Sequence, residues 1–228
     1  MVSEDLWAAV DQYINHLVIP SDPALEGALE AGAAAGLPAI SVTPAHGKLL
    51  HLLARIQGAQ RILEIGTLAG YSTIWLARAL PPNGRMITLE LESGHAEIAR
   101  ANIARAGLAD RIDVRLGAAL ETLPRLVEQA EGPFDLTFID ADRQNLPAYF
   151  EWALKLSRLG SVILVDNVVR KGGVVDAAST DPNIIGVRRF GERLAAEKRV
   201  SATMVQTVGS KGYDGFAVAL VTGEPSGS

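Results

Sequence analysis

Residues Arg61-Ile-Leu-Glu-Ile-Gly66-Thr-Leu-Ala-Gly70-Tyr-Ser72 join an apolar run to a turn that contains two glycines. The run over 62–65 predicts a buried strand, the segment from Gly66 to Gly70 a tight turn, and the residues from Ser72 onwards a helix. In such a unit the backbone N–H groups at the start of the helix face a bound ligand. The spacing lacks the G-x-G-x-x-G pattern of dinucleotide-binding turns. The turn therefore indicates either an adenosyl ligand or an ordinary glycine turn between a strand and a helix.

The composition limits the classes to which the protein can belong. The 228 residues are 48% hydrophobic and 21% charged, which predicts a single domain over residues 1–222 with a substantial core. The chain contains no cysteine, so disulfides, thiolate nucleophiles and cysteine-bound zinc are excluded. The net charge is -5 and Lys and Arg form no block, which argues against a large phosphate-binding surface. A small RNA contact, including one with tRNA, stays open through Arg188 and Arg189.

The sequence shows neither the pattern of a targeting signal nor that of a membrane-spanning segment. No apolar run reaches the ~18 residues that a membrane-spanning helix requires. The acidic segment from Met1 to Trp7 lacks the basic and apolar regions of a signal peptide. We therefore expect a cytoplasmic protein with no membrane contact.

The order of predicted elements indicates an α/β fold. Residues 1–58 predict three helices that cover the core, with capping residues at Ser3, Asp22 and Thr43. From Arg61 onwards, strands at 61–65, 85–90, 111–116, 134–139 and 161–165 alternate with helices near 71–80, 94–106, 119–130 and 144–158. This alternation predicts a parallel sheet flanked by helices, over residues 59–222. Two later strands, at 200–208 and 215–221, have a short connection and predict an antiparallel pair. Residues 223–228 predict a disordered tail.

Carboxylates follow two of the predicted strands directly. Asp140 and Asp142 come after the strand at 134–139, and Asp166 and Asn167 come after the strand at 161–165. The carboxyl ends of neighbouring parallel strands meet at one edge of a sheet, which brings these side chains together. Such oxygen ligands suit Mg²⁺, with Ca²⁺ or Mn²⁺ as alternatives. The competing interpretation is that each Asp caps the next helix, Asp142 in particular.

Other polar residues have a less specific pattern. Glu90 ends the strand at 85–90, where a carboxylate either accepts hydrogen bonds from a ribose or caps the next helix. The small residues 117–119 leave room for a flat adenine near the backbone. The histidines lack the i, i+4 spacing of metal ligands and are interpreted as surface or packing residues: His16, His46, His51 and His95.

These stretches together resemble the cation-dependent class I O-methyltransferases, the family of caffeoyl-CoA and catechol O-methyltransferases. The resemblance covers residues 40 to 222 and rests on 64–72, 139–142, 165–167 and Asp214-Gly215. It implies S-adenosylmethionine as methyl donor, a Rossmann-like, doubly wound sheet of seven strands with the last strand antiparallel, and a homodimer. It also implies that the donor is bound by Val42, Glu64, Gly66, Ser72, Glu90, Ala118 and Asp140. The implied ligands of the divalent cation are Asp140, Asp166 and Asn167.

The chain departs from the family pattern at two positions. Some relatives have a Lys that is assigned as general base where this chain has Arg143, and a guanidinium stays protonated in proteins. We therefore expect Asp140 and Arg143 as the catalytic residues. Coordination to the cation would lower the pKa of the acceptor hydroxyl and so promote its deprotonation, and Arg143 would stabilise an oxyanion or a substrate carboxylate. Plant relatives have a Trp where this chain has Arg170. Arg170 and Lys171 indicate either an anionic acceptor or a solvated loop.

The expected activity is methyl transfer from S-adenosylmethionine to a hydroxyl of a metal-chelated, catechol-type small molecule. Three alternatives stay open. A tRNA-modifying O-methyltransferase would keep the donor and metal sites. A nicotinamide-dependent oxidoreductase would use the glycine turn and Glu90 but would leave the paired aspartates unexplained. A non-catalytic binding protein would keep only the donor site.

Overall fold

The computed structural model of the chain describes residues 3–223, which form a seven-stranded sheet with helices on both faces. The strands are β1 Arg61–Ile65, β2 Arg85–Glu90, β3 Ile112–Leu116, β4 Phe134–Ile139, β5 Ser157–Asp166, β6 Val200–Gly209 and β7 Gly212–Val221. Their order is β3-β2-β1-β4-β5-β7-β6. Strands β1 to β5 pair in parallel, whereas β7 is antiparallel to both of its neighbours. The predicted fold class, including the antiparallel last strand, is confirmed.

Eight helices surround the described sheet. They are α1 Glu4–Val18, α2 Pro23–Ala34, α3 Pro44–Gln57, α4 Tyr71–Ala77, α5 Ser93–Arg105, α6 Ala119–Glu128, α7 Leu146–Lys155 and α8 Pro182–Ala196, with short 3-10 turns at Ala109–Arg111, Arg143–Asn145 and Arg170–Val175. The side chains of Ser3, Asp22 and Thr43 accept hydrogen bonds from backbone N–H groups and cap α1, α2 and α3 as predicted. None of the helices over residues 3–223 has the length and apolar character to cross a membrane. The predicted tail lies outside the described residues except for Gly223, and the single-domain assignment stays a prediction.

The core consists of two layers, one on each face of the sheet. Successive residues of a strand point to opposite faces, so β1 contributes Ile62 to one layer and Leu63 to the other. Helices α2 to α5 pack on the first face, and α6 to α8 pack on the second. Because helices cover both faces, the carboxyl-end edge of the sheet is the place where loops and cavities lie.

Strand β5 begins at Ser157, four residues earlier than the predicted strand at 161–165, and α7 ends at Lys155. The hydroxyl of Ser161 donates to the carbonyl oxygen of Phe134 at 2.7 Å and accepts from the backbone N–H of Arg158 at 2.9 Å. This local bonding and the positive φ of Gly160 hold an irregular strand start, and the prediction that the helix continues to residue 158 is wrong there.

The connection between β6 and β7 is shorter than predicted. Only Ser210 and Lys211 lie between Gly209 and Gly212, which are paired in the sheet. Gly212 has a positive φ of 88°, a conformation that glycine adopts at little cost. The hairpin therefore projects Lys211 at its tip, beyond the edge of the sheet.

Candidate active site

The glycine turn after β1 lies against the end of β4. Gly66 has a φ of 99°, and a β-carbon at this position would clash with the carbonyl oxygen of Asp140. Backbone hydrogen bonds tie the strand ends together, from Asp140 N–H to Ile65 O at 2.9 Å and from Gly66 N–H to Leu89 O at 3.0 Å. Only glycine fits this approach of two backbones. The turn thereby brings the ends of β1, β2 and β4 side by side.

Glu90 organises the glycine turn. Its carboxylate is buried and accepts hydrogen bonds from the backbone N–H groups of Thr67 at 3.2 Å, Leu68 at 2.7 Å and Glu92 at 3.0 Å. The ring of His95 lies beside the same carboxylate, with Nδ1 3.5 Å from Oε1. Glu90 therefore does not cap the next helix, which was one of the two roles expected from the sequence; the cap position of α5 is Glu92.

Glu64 lies one layer behind the cavity wall. It is fully buried and accepts hydrogen bonds from the hydroxyls of Ser72 at 2.6 Å, Thr88 at 2.7 Å and Thr73. Burial raises the pKa of Glu64 to about 7, although the hydroxyls oppose that shift. The resemblance placed Glu64 directly in the donor site, but it is absent from the described residues that line the cavity. Ser72, which does line it, stands between Glu64 and the cavity.

A cavity of about 620 Å³ opens above the glycine turn and is called the glycine-turn cavity. The predicted donor-binding residues other than Glu64 all line it, namely Val42, Gly66, Ser72, Glu90, Ala118 and Asp140. His95 and Tyr149 also line it. The structure therefore collects in one cavity residues that are up to a hundred positions apart in the chain.

A second cavity of about 1120 Å³ adjoins the first and is called the hairpin cavity, because the tip of the β6–β7 hairpin forms part of its wall. Asp140, Asp166, Asn167, Arg170, Lys171 and Lys211 line it. The two cavities share the segments 40–42 and 140–143 as walls. A ligand in one cavity therefore lies next to a ligand in the other.

Oxygen atoms from the ends of β4 and β5 converge on one positive charge at this boundary. A guanidinium nitrogen of Arg143 donates to Oδ1 of Asp140 at 3.1 Å and also to Oδ1 of Asn167. Asn167 has a positive φ of 57°, which turns its side chain back towards β4. Within residues 3–223, no group of three or more His, Asp or Glu side chains is arranged to bind a metal ion. Asp140 and Asn167 bond this guanidinium directly, and the carboxylate of Asp166 interacts with Asp140 and Arg143 through space.

Asp166 is the most deeply placed member of this set. Burial and then the negative charge of Asp140 raise the pKa of Asp166, although its carboxylate accepts a hydrogen bond from the backbone N–H of Asn167 at 2.7 Å. Nδ1 of His46 lies 3.7 Å from Oδ2 of Asp166. Burial lowers the pKa of His46, so the neutral imidazole is favoured. Among the described residues, Asp166 therefore has no direct ion pair with Lys or Arg, and the charge of Arg143 reaches it only through space.

Asp214 holds the turn that follows β5. Its Oδ1 accepts hydrogen bonds from the backbone N–H groups of Val169 at 2.9 Å and Arg170 at 2.9 Å, and from its own neighbour Gly215 at 3.0 Å. The side chain of Arg170 lies 3.6 Å from the other oxygen. The charge of Arg170 is therefore directed at Asp214.

Asp142 fulfils the capping alternative that the sequence left open. Its carboxylate accepts from the backbone N–H of Asn145 at 3.2 Å and from the hydroxyl of Tyr149. It begins the turn at Arg143–Asn145. Of Asp140 and Asp142, only Asp140 contacts Arg143 at the boundary between the two cavities.

Three residues that line the cavities could not be identified as site residues from the sequence. His46 and His95 were interpreted as surface or packing residues, yet His46 lines the hairpin cavity and His95 lines the glycine-turn cavity. Lys211 lay in a stretch predicted as a loop. The cap at Thr43-Pro44, which fixes the start of α3 near Val42, is the one local signal for His46.

Comparison with known proteins places this geometry in a family. A family model described as O-methyltransferase matches residues 19–218. The chain belongs to the O-methyltransferase family. A catechol O-methyltransferase of Niastella koreensis is 52% identical over 220 residues, which cover 96% of this chain and 100% of the relative. A catechol O-methyltransferase of Mycobacterium tuberculosis is 52% identical over 212 residues, covering 93% of this chain and 94% of the relative.

Solved structures of related O-methyltransferases have the same fold. An O-methyltransferase from Bacillus cereus, in complex with SAH, has a TM-score of 0.95 at 60% identity and covers 96% of this chain and 100% of its own. The O-methyltransferase TomG from Streptomyces achromogenes, in complex with SAM, has a TM-score of 0.95 at 51% identity and covers 98% and 100%. Membership of this family removes the oxidoreductase and the non-catalytic protein from the alternatives.

Proposed function

We propose that this O-methyltransferase acts on a hydroxyl of a small catechol-type acceptor that a divalent cation holds in the hairpin cavity. S-adenosylmethionine is the methyl donor of the enzyme, as two of its structural relatives contain SAH or SAM. The observation that carries the proposal is the grouping of Asp140, Asp166 and Asn167 in the hairpin cavity, with Asp140 also lining the adjoining glycine-turn cavity. Relatives named catechol O-methyltransferase support the acceptor class.

The glycine-turn cavity is the proposed donor site. Glu90 and the backbone of the glycine turn bind the ribose end. Oε2 of this carboxylate accepts from both Thr67 and Leu68, whereas Oε1 accepts from Glu92 alone and keeps a lone pair for a ribose hydroxyl. The small residue Ala118 leaves room for the adenine. Glu64 acts on the donor through Ser72 and through its negative charge, which favours the cationic amino-acid end of the donor. Val42 and Asp140 close the side next to the acceptor.

The boundary oxygens suit a divalent cation. Two carboxylates and an amide oxygen are hard ligands of the kind that Mg²⁺ prefers, with Ca²⁺ or Mn²⁺ as alternatives. The like charges of buried Asp166 and half-buried Asp140 are costly without a neighbouring positive charge. In this structure the positively charged guanidinium of Arg143 bonds oxygens of Asp140 and Asn167. A positive charge is thus already accommodated at this point, which supports the fit of a cation. Such a cation lowers the pKa of a phenolic hydroxyl, which is ordinarily ~10.

The residues around the boundary then supply orientation and charge. Arg143 stays protonated, so it cannot act as a base and instead stabilises negative charge on the acceptor. The sulfonium methyl group needs no further activation, and what the protein adds is alignment of the attacking oxygen with it and exclusion of water. The segments 40–42 and 140–143 line both cavities, so the donor and the acceptor would meet along this boundary.

The test is methyl transfer from labelled donor to a panel of catechols, with and without a chelator. We expect chelation to abolish transfer and added Mg²⁺ to restore it, and we expect Asp166→Ala to remain inactive at every cation concentration. Asp113→Ala, in an exposed ion pair on β3, is the matched control. Transfer that is indifferent to the chelator and to Asp166→Ala would contradict the metal-dependent mechanism. Hypomodified tRNA in the same panel tests the remaining RNA alternative, and methylation of tRNA alone would replace the small-molecule acceptor.

We also propose that the enzyme is a homodimer. Helix α1 has no buried residue over its described length, and it exposes Tyr13 by 67% and Leu17 by 59%. Strand β6 is exposed along most of its length and packs next to α1. A second copy would cover this continuous apolar face. Sedimentation should give a dimer for the wild type and a monomer for the pair Tyr13→Asp and Leu17→Asp, whereas Ile56→Asp on α3 should leave the mass unchanged.

A further inference from the structure

The tip of the β6–β7 hairpin fixes a lysine at the mouth of the hairpin cavity. The backbone N–H of Ser210 donates to Oδ2 of Asp11 in α1 at 2.7 Å, which holds the tip against the helix. The ammonium of Lys211 donates to the carbonyl oxygens of Ala39, at 3.3 Å, and Ser41. Two neutral carbonyls therefore orient this long side chain before any ligand arrives.

The charge of Lys211 is not neutralised by these contacts. Arg143 pairs with Asp140, and Arg170 lies beside Asp214. In the part of the chain that the structure describes, neither Lys211 nor Lys171 has a carboxylate within ion-pair distance. An ammonium has three N–H donors, so Lys211 keeps one for a ligand after bonding Ala39 and Ser41.

The other acids of the cavity wall are bound to backbone N–H groups. Asp142 caps the turn that begins at Arg143, Asp181 caps α8 through the N–H of Asn183 at 2.8 Å, and Asp11 holds the hairpin. Burial lowers the pKa of Lys211 below its usual value, and the negative charges of Asp140 and Asp166 oppose that shift through space. Lys211 thus lies within electrostatic range of the proposed chelating oxygens without touching them.

The two lysines line one cavity from neighbouring segments. Lys171 belongs to the 3-10 turn at Arg170–Val175, which packs against β7, and Lys211 precedes β7 directly. The cavity volume of about 1120 Å³ exceeds what a bare dihydroxybenzene ring fills, since it lies above the ~300–1,000 Å³ range of drug-sized ligand sites. The cavity therefore has space for a ring substituent, and both lysines belong to its wall.

We propose that Lys211, together with Lys171, binds an anionic substituent on the ring of the acceptor, so that the preferred acceptors are dihydroxy aromatic carboxylates. The inference rests on the proposed function, because it names the acceptor class of the same site. Lys211 is a specificity residue in this assignment: it binds the far end of the acceptor while Asp140, Asp166 and Asn167 hold the reacting end. Arg170 has no part in it, since its charge is directed at Asp214.

The experiment compares two acceptors of equal shape and different charge, 3,4-dihydroxybenzoate and 3,4-dihydroxybenzamide. We expect wild-type kcat/KM to favour the carboxylate. Lys211→Gln should lower that preference about tenfold, which is the value of a typical hydrogen bond to a charged group. The change should be in the KM of the carboxylate, with the amide unaffected. Lys211→Arg should keep the preference, Lys171→Gln should reduce it less, and Lys198→Gln, an exposed lysine that lines neither cavity, should leave it unchanged.

The outcomes separate this inference from the proposed function. If wild-type enzyme methylates both acceptors equally well, or if Lys211→Gln keeps the full preference, the inference is overturned and the proposed function stands. An equal loss on both acceptors would assign Lys211 to holding segment 39–41 and would also overturn it; donor affinity by calorimetry identifies that case. Wild-type enzyme that methylates neither compound contradicts the proposed function and the inference with it.

Discussion

The buried carboxylate of Glu64 accepts a hydrogen bond of 2.6 Å from the hydroxyl of Ser72, which lines the glycine-turn cavity. Burial raises the pKa of Glu64 to about 7, so its charge changes within the working range of pH. The ionised form favours the cationic donor. The ionised fraction rises about eightfold from pH 6 to pH 7.5, so we expect donor affinity, measured by calorimetry, to rise by up to about eightfold. Glu64→Gln should show no such rise, and an equal rise in that variant would refute the assignment.

The raised pKa of Glu64 also predicts how the free energy of unfolding depends on pH. The folded-state pKa of Glu64 lies above its ordinary value of 4.5, so between about pH 4.5 and 7 the folded protein binds more protons than the unfolded chain. This contribution to stability is complete below pH 4.5 and is lost as pH rises to 7. The loss amounts to at most about 3 kcal/mol. Denaturant unfolding at pH 5 and pH 8 should show a smaller difference for Glu64→Gln than for the wild type.

Removal of the guanidinium at the cavity boundary should free oxygen ligands. Arg143 bonds Asp140 and Asn167, so it competes with a cation for the same atoms. Arg143→Gln should bind Mn²⁺ several-fold more tightly by titration, and should transfer methyl groups about tenfold more slowly because a stabilising charge is lost. Arg143→Lys should not exceed the wild-type rate. An increase of several-fold at neutral pH in that variant would show that a base is missing at this position.

Asp214 should influence the cation and the acceptor but not the donor. It accepts hydrogen bonds from Val169 and Arg170, and so holds the turn that presents Asn167. Asp214→Asn should cost about 1–3 kcal/mol of stability, weaken Mn²⁺ binding and raise the acceptor KM. Donor affinity should stay at the wild-type value. Asp113→Asn, in an exposed ion pair on β3, is the control. Equal weakening of donor binding would indicate a general loss of structure instead.

The close approach of Gly66 to the end of β4 predicts a severe substitution. A β-carbon there would clash with the carbonyl oxygen of Asp140 at a positive φ, so Gly66→Ala should destabilise the protein by more than about 2 kcal/mol. Gly94 in α5 has open space around the equivalent position. Gly94→Ala should therefore be neutral or stabilise by up to about 1 kcal/mol. Thermal unfolding of both variants checks the contrast, which equal melting temperatures would contradict.

The sequence predicted the sheet because its signals are local. Strands β1, β2 and β4 have the predicted bounds, since each is an apolar run between turn residues. The sequence also predicted that the acidic residues after β4 and β5 lie at one edge of the sheet, because neighbouring parallel strands place their carboxyl ends there. What a strand places at its own end can be derived from its sequence alone.

The remaining site residues depend on packing between distant elements. Glu64 is enclosed by hydroxyls that come from α4 and β2, and nothing in the sequence around Glu64 indicates that they meet there. His46 reaches Asp166 only because α3 packs over the sheet. Lys211 reaches Ser41 across 170 positions of chain, through a hairpin that was predicted as a longer loop.

The segments 40–42 and 140–143 form a wall common to both cavities. Under the proposed function both substrates contact this wall, so any rearrangement of it on binding one substrate links the two binding free energies. By thermodynamic reciprocity, whatever factor the acceptor applies to donor affinity, the donor applies to acceptor affinity. Substitutions in this wall change a coupling between two substrates in addition to the affinity for each.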